Sequence, residues 1–200
     1  TTNVETMKNM LSSGKRINKL DLSHFNTTSL TNMENMFSDC SNLTKIDFTN
    51  FITDKVTNMN GLFKGCINLN QVNLSVFNTK SLKYTSRMFQ NCSLKAFQNL
   101  NDFDVSNVED MSYMFSSCQD LISINLSNLN TSSATNMDYM FSNCINLTSV
   151  TFVISDISKV TSMVGLFSNC ISLISIDLSN LEASSLININ NIFYNCQKLK

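Results

Sequence analysis

The residues of this chain best equipped for chemistry are its seven cysteines, Cys40, Cys66, Cys92, Cys118, Cys144, Cys170 and Cys196, each 26 residues from the next. Three chemistries suit them. Zinc binding is disfavoured because no Cys-x-x-Cys occurs and the single histidine, His24, occupies a different position of the repeating interval. Disulfides need alpha carbons within about 4.4 to 6.8 Å, whereas cysteines on packed neighbouring helices stand about 8 to 10 Å apart, and an odd count forbids complete pairing. The third reading, a ladder of buried free thiols acting as small hydrophobic residues, fits the pattern best. Seven cysteines share one interval only if each fills the same slot of a tandem repeat.

Other reactive groups are sparse or periodic. A nucleophile with a general base needs histidine beside serine or cysteine, and one histidine cannot serve an architecture that repeats. The pair Glu109-Asp110 sits where an expected helix begins and acidic residues are stabilised. Ser13-Gly14-Lys15 lacks the glycine spacing of a phosphate loop. Neither catalysis nor a cofactor is expected.

Counting from each cysteine position, the slot seven residues on holds Asp21, Asp47, Asn73, Asn99, Asn125, Thr151 and Asp177. Two residues further stand Ser23, Thr49, Ser75, Asn101, Ser127, Val153 and Ser179. These rows form a candidate binding face for an extended glycan or peptide. The competing expectation is a solvated face, or one whose side chains bond to one another up the ladder. A calcium site between Asp21 and Asp47 would have two carboxylates against the six to eight oxygens the ion takes. Asn-x-Ser/Thr sequons occur at Asn26, Asn42, Asn73, Asn91, Asn125, Asn130 and Asn146, about the number that this composition gives by chance. Of these, Asn26, Asn73, Asn125 and Asn130 fall on the outward strand slot or the strand end, and are the candidates for N-glycosylation.

The elements that position these groups follow from the same frame. Each unit opens with period-two alternation, as in Asn68 to Ser75 and Asn146 to Phe152, which predicts a strand. Its second half changes period: Met137, Met140, Phe141 and Cys144 follow i, i+3, i+4, i+7, which predicts a short helix. Thr135 with Asp138, and Thr31 with Glu34, have the spacing of a capping box. Three residues before each cysteine stands Phe37, Phe63, Phe89, Phe115, Phe141, Phe167 or Phe193, so phenylalanine and cysteine together form the expected core. One unit cannot bury its own apolar face, so the units must stack. An irregular joint is expected at 83 to 101, where Thr85 takes a methionine slot, Gln98 an apolar one, and Leu94 and Phe97 are each displaced by one residue.

Composition bounds the partners. The chain has 200 residues, 42% hydrophobic and 14% charged, with a formal net charge of -1. No basic patch exceeds Lys15-Arg16, which argues against nucleic acid. No apolar run is long enough to span a membrane. Proline is absent and glycine scarce, so asparagine is expected at the turns, where it tolerates left-handed backbone and bonds to local main chain.

The segments Leu69-x-x-Val72-x-Leu74-x-x-Phe77-Asn78 and Leu121-x-x-Ile124-x-Leu126-x-x-Leu129-Asn130, followed by Val-Thr-x-Met-x-x-Leu/Met-Phe-x-x-Cys at 56 to 66 and 160 to 170, resemble the BspA-type leucine-rich repeats of bacterial and protist surface proteins. The asparagine of the signature is replaced at Ile52, Asp104, Asp156 and Glu182. The expected fold is an α/β solenoid with one short parallel strand and one short helix per 26-residue unit, seven to eight units and uncapped ends. Residues 1 to 200 form a single array with cysteine slots at 14, 40, 66, 92, 118, 144, 170 and 196, read as part of a longer array or as a subunit that stacks into filaments. The resemblance implies a non-enzymatic structural or adhesive protein, extracellular or at a cell surface, that contacts protein or glycan. The alternative is a ligand-recognition module working through the polar strand face.

Overall fold

A computed structural model describes residues 3 to 200 except 23, 49, 96, 98, 99, 128, 152 to 155 and 179 to 182. The sequence places Ser23, Thr49, Gln98, Asn99, Phe152, Val153, Ser179 and Glu182 in roles of their own, and these lie outside the described residues. The regular elements are brief: 3-10 turns at Leu74–Val76 and Leu100–Asp102, and strands β1, Ser123–Asn125, and β2, Ser149–Thr151. The strands pair in parallel, with Ser123, Ile124 and Asn125 opposite Ser149, Val150 and Thr151. Ile124 and Val150 point inward and their neighbours outward, as the alternation predicts.

The short helix expected before each cysteine is absent among the described residues, and a ribbon of successive turns takes its place. Two residues per unit, four apart, adopt positive φ: Asn35 and Asp39, Gly61 and Gly65, Arg87 and Asn91, Tyr113 and Ser117, Tyr139 and Asn143. An α-helix needs φ near −63° throughout, so a left-handed residue every fourth position cannot belong to one. Amides then alternate between two directions. In the unit of Cys118, the amides of Met111, Tyr113, Phe115 and Ser117 donate along the solenoid axis to the carbonyls of Asn136, Asp138, Met140 and Ser142, at 3.0, 2.9, 2.9 and 2.7 Å. Those of Met114, Ser116 and Cys118 instead donate back to Met111, Tyr113 and Phe115. The same alternation recurs from Met7 to Asn169. Both helix and ribbon turn Met137, Met140, Phe141 and Cys144 inward, and all four are buried.

The ribbon begins on a ladder of parallel bridges through Thr6, Asn32, Asn58, Tyr84, Asp110, Asn136, Ser162 and Asn188. Its cap differs from the capping box expected at Thr31 and Thr135. Those hydroxyls donate to the carbonyls of Glu5 and Glu109 one unit back, at 3.0 and 3.1 Å. The side chains of Asn32 and Asn136 accept the amides of Glu34 and Asp138 instead, at 2.8 and 2.9 Å.

Inside, the phenylalanine slot forms a continuous stack from Phe37 to Phe193, with neighbouring rings 5.4 to 5.9 Å apart and nearly parallel. Across the irregular joint the bridge ladder continues from Tyr84 to Asp110. Displaced Leu94 is still buried, and Phe97 sets its ring edge-on against Phe89 and Phe115, so the shift is absorbed on the strand side. Thr85 and Ser86, buried in the same joint, bond to the Asp110 carbonyl and the Ser112 hydroxyl of the next unit.

Two stability measurements follow. At Asn91, exposed with φ 58°, Gly should be more stable than Ala by about 1 kcal/mol in urea unfolding, because left-handed backbone penalises a Cβ; a helix would favour Ala by a similar amount. Thr27, Thr53, Thr79 and Thr131 share a buried slot that Val105 and Ile157 fill elsewhere. The Thr53 hydroxyl accepts from the Asn78 amide and donates to its carbonyl, whereas the Thr79 hydroxyl has no partner among the described residues. Thr79→Val is therefore expected to leave stability unchanged or raised, and Thr53→Val to lower it by about 1 kcal/mol.

Candidate functional site

The cysteines lie in the core, all free, six of them buried and Cys196 half-buried. Each thiol does more than fill space. Cys66, Cys92, Cys118, Cys144, Cys170 and Cys196 donate to the carbonyls of Phe37, Phe63, Phe89, Phe115, Phe141 and Phe167 of the preceding unit, at 3.0 to 3.1 Å. Cys40 donates to Leu11 in the same way. The phenylalanine carbonyls already accept the amide of the cysteine three residues on, and the Leu11 carbonyl that of Gly14, so both lone pairs are engaged. Burial pushes the thiols of Cys66, Cys118 and Cys170 up to about 12, and those of Cys92 and Cys144 well above the ordinary range. A thiol so protonated is no nucleophile near neutral pH.

The outward rows are exposed at Asp21, Asp47, Asn73, Ser75, Asn125, Thr151 and Asp177, with Ser127 half-buried. Within a unit, Asn73 accepts from the amide and hydroxyl of Ser75, and Asn125 from the Ser127 amide. Asn26 and Asn130 are exposed and accept from Thr28 and Ser132 in the same manner. Asp21 and Asp47 line one opening of about 320 Å³ with Lys19, Phe48 and Phe51. Among the described residues no group of three or more His, Cys, Asp or Glu could hold a metal ion.

Asparagine serves the turns, with one amendment: its side chain often bonds to the neighbouring unit instead of to local backbone. Asn42, Asn68 and Asn146 donate to the carbonyls of Lys15, Ser41 and Gln119. Asn169 and Asn195 donate to the side-chain oxygens of Asn143 and Asn169, forming an amide ladder along the ribbon.

Sequence reasoning missed an aromatic stack on this ribbon face. Arg87, Tyr113 and Tyr139 occupy the left-handed slot five residues before the cysteine. The guanidinium lies 4.7 Å over the Tyr113 ring, and the two tyrosine rings stack at 4.9 Å. Gly165 follows in the same slot, where any Cβ would strike the Tyr139 ring. The available signal was the slot itself, which reads Asn9, Asn35, Gly61, Arg87, Tyr113, Tyr139, Gly165, Asn191.

Units of 26 residues laid on one another through parallel backbone bonds define a leucine-rich-repeat solenoid. The chain is similar to a leucine-rich-repeat protein of T. pallidum, with 20% identity, 91% of this chain and 77% of that one covered, and a TM-score of 0.60. A leucine-rich-repeat protein of Bacteroides ovatus is 19% identical over 98% of this chain and 69% of its own, with a TM-score of 0.47. The chain belongs to the family described as "Mycoplasma protein of unknown function, DUF285", which it matches over residues 5–121 and again over 86–200. The resemblance to leucine-rich repeats read from the sequence therefore holds. No curated protein sequence matches the chain. Among the described residues no helix is long and apolar enough to cross a membrane.

The buried thiols imply an alkaline limit. With the folded-state pKa raised to about 12 at Cys66, Cys118 and Cys170, stability is constant below the unfolded thiol value near 9 and falls as pH climbs from there towards 12. Each such thiol contributes a slope of about 1.4 kcal/mol per pH unit in that window. Urea unfolding at a series of alkaline pH values, with a Cys118→Ala variant expected to show a shallower slope, checks this.

Proposed function

We propose that the chain is a non-enzymatic structural or adhesive solenoid that works outside the cell or on its surface. The observation that carries this reading is that the groups with reactive potential are taken up by the stack. The thiols are buried donors to backbone carbonyls, and His24 stands exposed and outside any cluster of metal-ligating side chains among the described residues. What the molecule offers its surroundings is an extended polar surface repeated unit by unit, a form suited to contact with protein or glycan. Stacking also makes stability a sum of nearest-neighbour terms, so such an array is lengthened without a new core.

The exposure of Asp47, Asn73, Asn125 and Thr151 supports a second reading, recognition of a glycan or peptide across the strand face. Their side-chain oxygens at Asn73 and Asn125 are already engaged by their own strand ends, which favours the solvated-face expectation there. The four exposed sequon asparagines are reachable by a glycosylating enzyme should the chain pass through a eukaryotic secretory route.

Protease treatment of intact cells producing the native protein tests the location. Loss of the chain's signal before lysis is the expected result. Full protection until the cells are broken contradicts the proposal.

A further inference from the structure

The register that stacks phenylalanine rings in the core does the same for two phenols on the ribbon. Tyr113 and Tyr139 fill the left-handed slot of consecutive units, at φ 57° and 55°, with ring centres 4.9 Å apart and planes 17° from parallel. Asparagine or glycine holds this slot at Asn9, Asn35, Gly61, Gly165 and Asn191, because left-handed backbone penalises larger side chains. Backbone held in such a sparsely populated region gathers at functional positions. Arg87 covers the outer face of Tyr113, and Gly165 lets the Tyr139 ring lie over the next unit, so the ring faces are occupied and the edges remain. Both rings are half-buried, and neither hydroxyl has a hydrogen-bond partner among the described residues.

Those edges carry the atoms that one-electron oxidation of a phenol activates, the oxygen and the ring carbons ortho to it. The rest of the chain leaves an oxidant few other targets. Tryptophan is absent, and six of the seven cysteines are buried. Of eleven methionines Met10 alone is exposed, and the others are buried. Tyr84 and Tyr194 are exposed, but among the described residues neither stacks on another tyrosine.

We infer that Tyr113 and Tyr139 are a site of oxidative cross-linking, joined ring to ring as dityrosine by hydrogen peroxide acting through a haem peroxidase. Each phenol gives up one electron, and its hydroxyl proton passes to water; the guanidinium over Tyr113 disfavours a ring that keeps the positive charge. The two phenoxyl radicals form one bond between ortho carbons. Each of those carbons then releases its hydrogen as a proton while a proton returns to the oxygen, which restores both aromatic rings. The peroxide takes up two electrons and two protons and leaves as two molecules of water. Coupling requires the stacked rings to turn edge to edge by rotation about their side-chain bonds. The link ties neighbouring units at the surface, where the buried thiols provide no covalent bond. The surface reading above supplies only the setting in which peroxide is met, since coupling is measured on the purified chain.

The test treats the purified chain at high dilution with a haem peroxidase and hydrogen peroxide, and follows dityrosine fluorescence, intact mass and the peptides released by cleavage before aspartate. Expected is a monomer lighter by two hydrogen atoms, in which peptides 110–119 and 138–155 are linked. Tyr113→Phe and Tyr139→Phe, which keep a ring in the stack and remove the phenol, should each abolish this product while the melting temperature stays unchanged. Tyr84→Phe and Tyr194→Phe should leave it in full yield. Absence of the link once the peroxide is consumed, a link found only between chains, or the same product from folded Tyr113→Phe would each overturn the proposal. None of these outcomes bears on whether the chain is exposed on cells.

Discussion

The structure depends on one constraint: in each unit, alternate backbone amides must point along the solenoid axis while the amides between them close turns. Tyr113 and Phe115 reach Asp138 and Met140 in the next unit, and Ser116 and Cys118 turn back on Tyr113 and Phe115. The alternation satisfies the buried main chain from both directions, which a stack of short helices would not do at its interfaces. It requires left-handed backbone twice per unit. That requirement favours asparagine, glycine, aspartate and serine at two slots four residues apart, with Arg87, Tyr113 and Tyr139 the exceptions, and it explains how a chain with so little glycine turns so often.

Side chains follow from this backbone. Because the units are held in one register by their amides, identical residues fall directly above one another, and phenylalanine rings stack nearly parallel through the core. The thiol hydrogen bond belongs to the same scheme. Cysteine is small enough for the slot and offers its proton to the second lone pair of the phenylalanine carbonyl in the preceding unit. Serine could donate there too, but it would bring a more polar group into a dry interior. The cysteines thus join neighbouring units without oxidation chemistry.

Much of this was legible in the sequence. The repeat length, the inward set of Met137, Met140, Phe141 and Cys144, and the outward Asn125 and Thr151 all follow from spacing and period. The helix is absent among the described residues, and the reason is physical: the i, i+3, i+4, i+7 pattern reports which side chains face inward, and a ribbon of four-residue turns presents the same set. The distinguishing signal was Gly61 with Gly65, and Asn191 with Asn195, two left-handed formers at one fixed interval inside what would be a helix. The thiol bonds could not be read, because a donor's partner 29 residues away depends on how units stack. The tyrosine stack was hidden for a related reason. Tyr113 and Tyr139 look like ordinary polar-face residues of a helix until the backbone places both on one left-handed rail.

Scalar coupling across hydrogen bonds, measured by NMR between amide nitrogens and carbonyl carbons, tests the axial alternation most directly. The account predicts that the Phe115 amide couples to the Met140 carbonyl and the Tyr113 amide to that of Asp138. Coupling of the Phe115 amide to the Met111 carbonyl, the i−4 partner of an α-helix, would contradict it.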